Sequence, residues 1–236
     1  MKFKYIINPK SLEFIDAINI LMEYFPRDWD YIPKIKKLII GKFPQNTEFY
    51  LLTLKNNKRI LGICLYRYWT DIKSAILEYL VVKKSKRSQG IGTKLYQKME
   101  THLLNKNCKY LLFSAGRDEK FDKIIDRKEI EIRQKRLKFY EKLRARPLTN
   151  FQYENPLPLS RKEDDYMNPY LLLSTKFLNK EGINGKDLYL ILKRNYKTYY
   201  FGVTENNNKI VKNVLNSINK NQFYQLRKLK YINEKS

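Results

Sequence analysis

The chain predicts a mixed α/β fold, a sheet with helices packed on its faces. Three observations carry this. Apolar or alternating segments and helically spaced segments follow one another in the order strand, helix, strand, strand, strand, helix, strand. One apolar run, Ala75-Ile76-Leu77-Glu78-Tyr79-Leu80-Val81-Val82, ends in a basic turn with glycines that opens directly into a helical pattern. The 236 residues are 43% hydrophobic and 14% aromatic, enough to build a sizeable core and to exclude wholesale disorder.

In chain order, Lys2 to Asn8 alternates and predicts a strand that Pro9 stops. Ser11 to Phe25 places Leu12, Ile15, Ile18, Leu21, Met22 and Phe25 at helical spacing. A second short helix is expected around Ile32 to Ile40. Glu48 to Leu54 and Arg59 to Trp69, joined by Lys55-Asn56-Asn57-Lys58, read as a β-hairpin. Ser74 to Lys83 is the next strand, Ile91 to Asn105 a helix, and Lys109 to Ser114 a short buried strand. Arg117 to Lys135 is densely charged; either a helix begins early, near Phe121, or an insertion sits there. Asn150 to Tyr153 and Tyr170 to Phe177 are further strand candidates. The prolines and charges of Glu154 to Asp165 between them predict a loop. Gly182 and Gly185 mark a junction, after which Leu188 to Leu192, then Ile210, Val214, Leu215 and Ile218, then Phe223, Leu226 and Leu229 predict two or three helices.

The segment Arg87-Ser88-Gln89-Gly90-Ile91-Gly92 has the makings of a phosphate site. First-turn N–H groups of a helix have no intrahelical partners, and the helix dipole adds positive character at that end. Gly90 and Gly92 let main chain approach an anion closely, and Arg87 adds a guanidinium. No Gly-Lys-Ser/Thr follows, so this is not a P-loop, and no third glycine completes a dinucleotide fingerprint. The segment, with its strand and helix, resembles motif A of the GNAT superfamily of N-acetyltransferases. A second stretch, Arg136-Leu137-Lys138-Phe139-Tyr140-Glu141-Lys142-Leu143-Arg144-Ala145-Arg146-Pro147-Leu148, resembles the motif B segment of the same family. One departure stands out. Arg144 occupies a position where the family usually has a glycine that ends the helix in a left-handed conformation.

The resemblance covers roughly residues 1–178. It implies a mostly antiparallel central sheet flanked by helices and an acetyltransferase domain over residues 1–180; residues 181–236 lie beyond it and read from their own pattern as a basic, helical extension. Acetyl-coenzyme A is the implied co-substrate. Its pyrophosphate would lie on Arg87, Ser88, Gln89, Gly90, Ile91, Gly92 and Thr93. Main chain at Leu80, Val81 and Val82 would hold the thioester end, a main-chain N–H at Val81 or Val82 polarising its carbonyl, with Lys142 also in the coenzyme-binding set. Tyr140 falls where many members carry a hydroxyl beside the sulfur, the place of a general acid.

A catalytic base is less clearly marked. Period-two alternation would put Glu78, Leu80 and Val82 on one face. A carboxylate in so apolar a strand needs a partner or a task. Glu78 is therefore either the base that deprotonates the amine or one half of a salt bridge to a nearby lysine on a half-exposed face.

Cys64 and Cys108 are too few for a disulfide framework and sit in apolar strand-like contexts, so buried thiols are expected. His102 alone predicts no metal site and a packed or surface role. Met1 to Ile7 does not read as a secretory leader, and no apolar run approaches the roughly 20 residues of a membrane span. A cytoplasmic monomer or homodimer is expected.

The net charge is +24, and Lys193 to Ser236 holds ten Lys/Arg against two Asp/Glu. Abundant Lys, Asn, Ile and Tyr is the composition that an AT-rich coding sequence would give, which would account for part of the lysine. The remainder suits nucleic acid or an acidic partner. The acceptor amine is a small molecule, a peptide or an aminoacyl-tRNA. Asp28, Asp30, Glu48, Asp71, Asp164 and Asp165 would attract a cationic amine, whereas the overall charge favours an amine on an anionic carrier. The competing function class is a binding module that acts on RNA or a protein through its basic surface.

Overall fold

The computed structural model describes residues 1–41, 46–57, 59–117, 127–156, 166–167, 169–199 and 204–229. It divides into two compact units, Met1–Lys109 and Tyr110–Ser236.

The first unit begins with β1 (Lys2–Tyr5) and α1 (Leu12–Tyr24). Ser11 starts α1 by accepting from the Phe14 N–H at 3.1 Å, while its own hydroxyl donates to the Asn8 carbonyl at 2.8 Å. The stripe α1 buries is Phe14, Ala17, Ile18 and Leu21, one face at i, i+3, i+4 and i+7. Leu12 and Ile15 lie off that stripe and are exposed. A 3-10 segment, Pro26–Tyr31, leads into α2 (Ile32–Ile39). Then come β2 (Thr47–Asn56), β3 (Arg59–Trp69) and β4 (Ser74–Val82), and α3 (Ile91–Asn105).

Strands β1 to β4 pair consecutively and antiparallel. From Ile60 to Trp69 every residue of β3 is buried, although successive side chains alternate in direction, so this strand is covered on both faces. Gly62 lets α3 come close. A Cβ there would sit 2.7 Å from the Val81 carbonyl oxygen, 3.1 Å from Leu95 Cδ1 and 3.2 Å from Ile91 Cγ2. Cys64 and Cys108 are buried thiols outside any disulfide, as expected. His102 is packed rather than exposed. Its Nδ1 lies 2.7 Å from the Tyr66 hydroxyl, its ring meets Tyr50 edge-on at 4.6 Å, and burial lowers its pKa.

The second unit comprises β5 (Tyr110–Ala115), α4 (Arg127–Lys142), β6 (Ala145–Pro147), β7 (Asn155–Pro156), β8 (Tyr166–Met167), β9 (Tyr170–Ser174), β10 (Gly182–Asn184), α5 (Gly185–Tyr199), α6 (Lys209–Asn216) and β11 (Phe223–Gln225). β9 pairs with β5 and with β6, β7 with β8, and β10 with β11. Every one of these pairs, like those of the first unit, is antiparallel. The mixed α/β, mostly antiparallel class predicted from the sequence is therefore the observed one.

Several expectations need correction. Asn150 to Tyr153 is not a strand: Asn150 takes a left-handed φ of 51°, which breaks extended chain, and β9 is flanked by β5 and β6 instead. Strand β9 stops at Ser174, and Thr175–Phe177 forms a 3-10 turn. The apolar set at Phe223 to Leu229 does not form a third helix, because Phe223–Gln225 pairs with Gly182–Asn184. Glu154 to Asp165 contains β7 and is not wholly loop. The early helix start near Phe121, the Lys58 turn position, and Asp164, Asp165 and Lys230 lie outside the described residues, as does the side chain of Asp30. Leu188, Ile191, Ile210, Val214 and Ile218 are buried as their spacing predicted. Lys193, Lys197 and Lys228 are exposed, and Arg194 and Arg227 half-buried. Among the described residues no helix is long and apolar enough to cross a membrane.

Candidate active site

Strand β4 runs into a short 3-10 turn, Lys84–Lys86, then extended chain at Arg87. Ser88 (φ 60°) and Gly90 (φ 72°) both adopt left-handed conformations, and α3 starts at Ile91. Two such residues within three positions turn the main chain sharply, and glycine takes this conformation without steric cost. The first helical bond of α3 is Lys94 N–H to the Gly90 carbonyl at 3.0 Å. The amides of Ile91, Gly92 and Thr93 thus precede the intrahelical ladder. No side chain caps this end and no acidic residue sits in the first turn. A Cβ built on Gly90 meets nothing within 4 Å. The turn is exposed from Lys84 to Gly90, with a depression of about 390 Å³ beside it lined by Glu23, Lys83, Lys84 and Ser85. The Arg87 guanidinium stacks on the Tyr24 ring, 4.6 Å from its centroid. Leu80 and Val82 are half-buried, with Val81 buried between them.

Glu78 sits where the β3–β4 ladder slips. Leu65 pairs with Tyr79 and Tyr66 with Leu77, leaving Glu78 as the extra residue of a bulge. Regular alternation therefore does not run through Glu78 to Leu80 and Val82. Glu78 and Tyr79 instead both meet Tyr31, whose hydroxyl donates to Glu78 Oε2 and whose ring centroid lies 6.2 Å from that of Tyr79. The other Glu78 oxygen pairs with Arg67 Nε, and both side chains are only 1% exposed. The salt bridge is real, but its partner is a buried arginine on β3, not a surface lysine. Nearby, Tyr79 donates to Asp28 Oδ2 at 2.8 Å. Lys34, 5% exposed, lies 5.2 Å from the centroid of the Tyr31 ring. Burial and, after it, the Arg67 charge lower its pKa to about 7 against a weaker pull from Glu78.

Tyr140 and Lys142 belong to the second unit. Tyr140 is 8% exposed and its ring packs against Phe113 (4.6 Å) and Phe139 (5.2 Å). Lys142 is exposed in the last turn of α4. Arg144 then takes φ 61°, the left-handed conformation for which glycine is suited, and the helix ends there. Sequence reasoning passed over Arg67, Tyr31, Lys34 and Gly62. Two signals were present: an arginine within an apolar strand requires a buried partner, and a glycine within a strand marks close approach.

Residues 14–120 match the model of the acetyltransferase (GNAT) family. Among curated proteins none matches. Solved structures do. A protein of Bacteroides thetaiotaomicron described as a GNAT-family acetyltransferase is 17% identical over 86% of this chain and 100% of its own, with a TM-score of 0.58. An aminoglycoside 6'-N-acetyltransferase complexed with coenzyme A is 13% identical over 73% of this chain and 95% of its own (TM-score 0.53). The aminoglycoside 6'-N-acetyltransferase of Enterococcus faecium is 14% identical over the same shares, with a TM-score of 0.50. At these identities the likeness establishes the fold.

Proposed function

We propose that this protein is an N-acetyltransferase, transferring an acetyl group from acetyl-coenzyme A to a primary amine by direct attack. The observation that carries the reading is the β4–turn–α3 unit. It combines a left-handed glycine at an uncapped helix start, open space before it and an adjacent guanidinium. These residues fit a pyrophosphate. Amides of residues 88–93 and the Arg87 side chain would hold it, and main chain at Leu80, Val81 and Val82 would hold the thioester end. The bound coenzyme supplies an acetyl group already activated as a thioester. Glu78 takes the amine proton, directly or through the Tyr31 hydroxyl that donates to it. Tyr140 returns a proton to the leaving sulfur, and Lys142 contributes charge to coenzyme binding. Such an enzyme works in the cytoplasm, where its acetyl donor is made available.

Two measurements test this. With acetyl-coenzyme A and a panel of free amino acids, polyamines, aminoglycosides, peptides and aminoacyl-tRNA, the purified chain should release free thiol with at least one acceptor. In calorimetry, Gly90→Glu should lower coenzyme affinity about a hundredfold or more, because like charges brought together cost several kcal/mol. Unchanged affinity in that variant removes the pyrophosphate assignment.

A further inference from the structure

The second unit contains a cleft of about 350 Å³ lined by Arg144, Arg146, Arg227 and Lys228 together with Thr175 and Glu181. Its lining holds four cationic residues and one carboxylate, a net of +3, and a second carboxylate oxygen, Glu141 Oε1, lies 3.8 Å from Arg146 Nη1. Main-chain bonds fix its walls. Thr175 N–H donates to the Arg144 carbonyl at 2.9 Å, Arg227 N–H to the Pro147 carbonyl at 3.0 Å, and Leu226 N–H to the Glu181 carbonyl at 3.1 Å. Arg146 is itself held, its Nη1 donating to the carbonyls of Glu141 (3.1 Å) and Ala145 (3.0 Å).

Arg144 supplies the second observation. Its backbone is left-handed, a conformation glycine would adopt without strain and in which any side chain costs stability. The chain nonetheless keeps a guanidinium there, on a cleft already crowded with positive charge. Mutual repulsion among these cations is relieved when an anion binds, which offsets the cost of holding an arginine in that conformation.

We propose that this cleft binds the phosphodiester backbone of a nucleic acid. The assignment is independent of acetyl transfer. Arginine forks match phosphate oxygens two at a time, and the Thr175 hydroxyl can donate beside them. A polyanion fits better than a free phosphate. Arg144 and Lys228 are exposed at the rim, and Lys176 and Lys180, next in sequence to Thr175 and Glu181, are exposed too, so positive charge continues past the cleft instead of enclosing it.

The test uses the full chain and a fluorescein-labelled 12-nucleotide single-stranded RNA, read by anisotropy. Affinity should fall about twentyfold between 50 and 200 mM salt if three phosphates are neutralised. Arg144→Gly should weaken binding about tenfold and flatten the salt dependence, while its thermal midpoint rises because the strain is gone. That opposite movement separates lost contact from lost fold. Arg227→Gln serves as a second variant and should weaken binding to a similar extent. Lys212→Gln, an exposed lysine of α6 that does not line the cleft, should change affinity less than twofold. No binding at 50 mM salt overturns the proposal. So does a loss in Lys212→Gln equal to that in the arginine variants, which would mean diffuse surface charge. Displacement of the RNA by AMP at an equal concentration of phosphate would assign the cleft to a free phosphate and overturn the nucleic-acid assignment.

Discussion

Arg67 and Glu78 form an ion pair in which each side chain is 1% exposed, the carboxylate being presented by the extra residue of a bulge in β4. Attraction within such a pair competes with the desolvation of both charges, so the pair need not add stability, but removing one partner strands the other. Arg67→Met should therefore destabilise the chain by about 3–5 kcal/mol in urea unfolding. The double variant Arg67→Met/Glu78→Leu should recover most of that loss. A double variant as unstable as the single one would show that Arg67 contributes chiefly by packing, for instance against Trp69, whose ring its Cζ approaches at 5.5 Å.

A catalytic role for Glu78 is separable from its ion pair. Glu78→Gln keeps the shape and the Tyr31 hydroxyl as a neighbour but cannot accept a proton. As base, its loss should lower kcat/KM about 10²–10⁴-fold. An unchanged kcat/KM while stability falls would assign Glu78 to the ion pair alone and leave proton removal to water.

The contrast between what could and could not be read in the sequence follows range. The helix that begins near Ser11 and the turn from Arg87 to Thr93 are fixed by residues within a few positions, so the sequence states them. The end of α4 was not legible in this way: only the resemblance marked the place of Arg144 as one for glycine, and whether the helix closes there in the left-handed conformation or by a different cap was decided by the structure, which shows the left-handed one. The bulge at Glu78 depends on a partner strand, and a period-two pattern carries no mark of an inserted residue. Tyr31 and Arg67 reach Glu78 across 47 and 11 positions of sequence. The strand at Phe223 arises the same way. Its apolar spacing suited a helix, and only pairing with Gly182–Asn184, some forty residues earlier, decided otherwise.

Gly62 sets how closely α3 approaches the sheet. A Cβ there would lie 2.7 Å from a main-chain oxygen, which cannot swing aside as a flexible side chain can. Gly62→Val should cost about 1–3 kcal/mol by overpacking and push the start of α3 away from β4. Because the first-turn amides move with the helix, coenzyme affinity should fall in calorimetry although no residue of the turn has changed. Full affinity with reduced stability would show that β3 yields while α3 stays in place.

Tyr140→Phe keeps the ring contacts with Phe113 and Phe139 and removes only the hydroxyl. As the general acid, its loss should lower kcat by about 10²-fold or more with little effect on coenzyme affinity. Equal kcat in the two proteins would assign thiolate protonation to water.

Lys34 makes the stability of the first unit depend on pH in an unusual direction. Its pKa is lowered from 10.5 to about 7, chiefly by burial and then by the Arg67 charge. Between about pH 7 and 10.5 the unfolded chain therefore holds a proton at this site that the folded chain has released. Stability must rise with pH across that window, by at most about 1.4 kcal/mol per unit, and the full cost of the buried charge is felt below pH 7. Raising the pH from 7.5 to 8.5 should lift the thermal midpoint by about 2–4 °C. His102, whose pKa is lowered from 6.5, titrates below this range and does not interfere. Lys34→Met should flatten the dependence and raise the midpoint at pH 7.5, with the aliphatic stem still filling its place beside Tyr31. A wild-type midpoint that stays level or falls from pH 7.5 to 8.5 would mean that the ammonium keeps its proton in the folded chain, held by a pull from Glu78 strong enough to offset burial and the Arg67 charge.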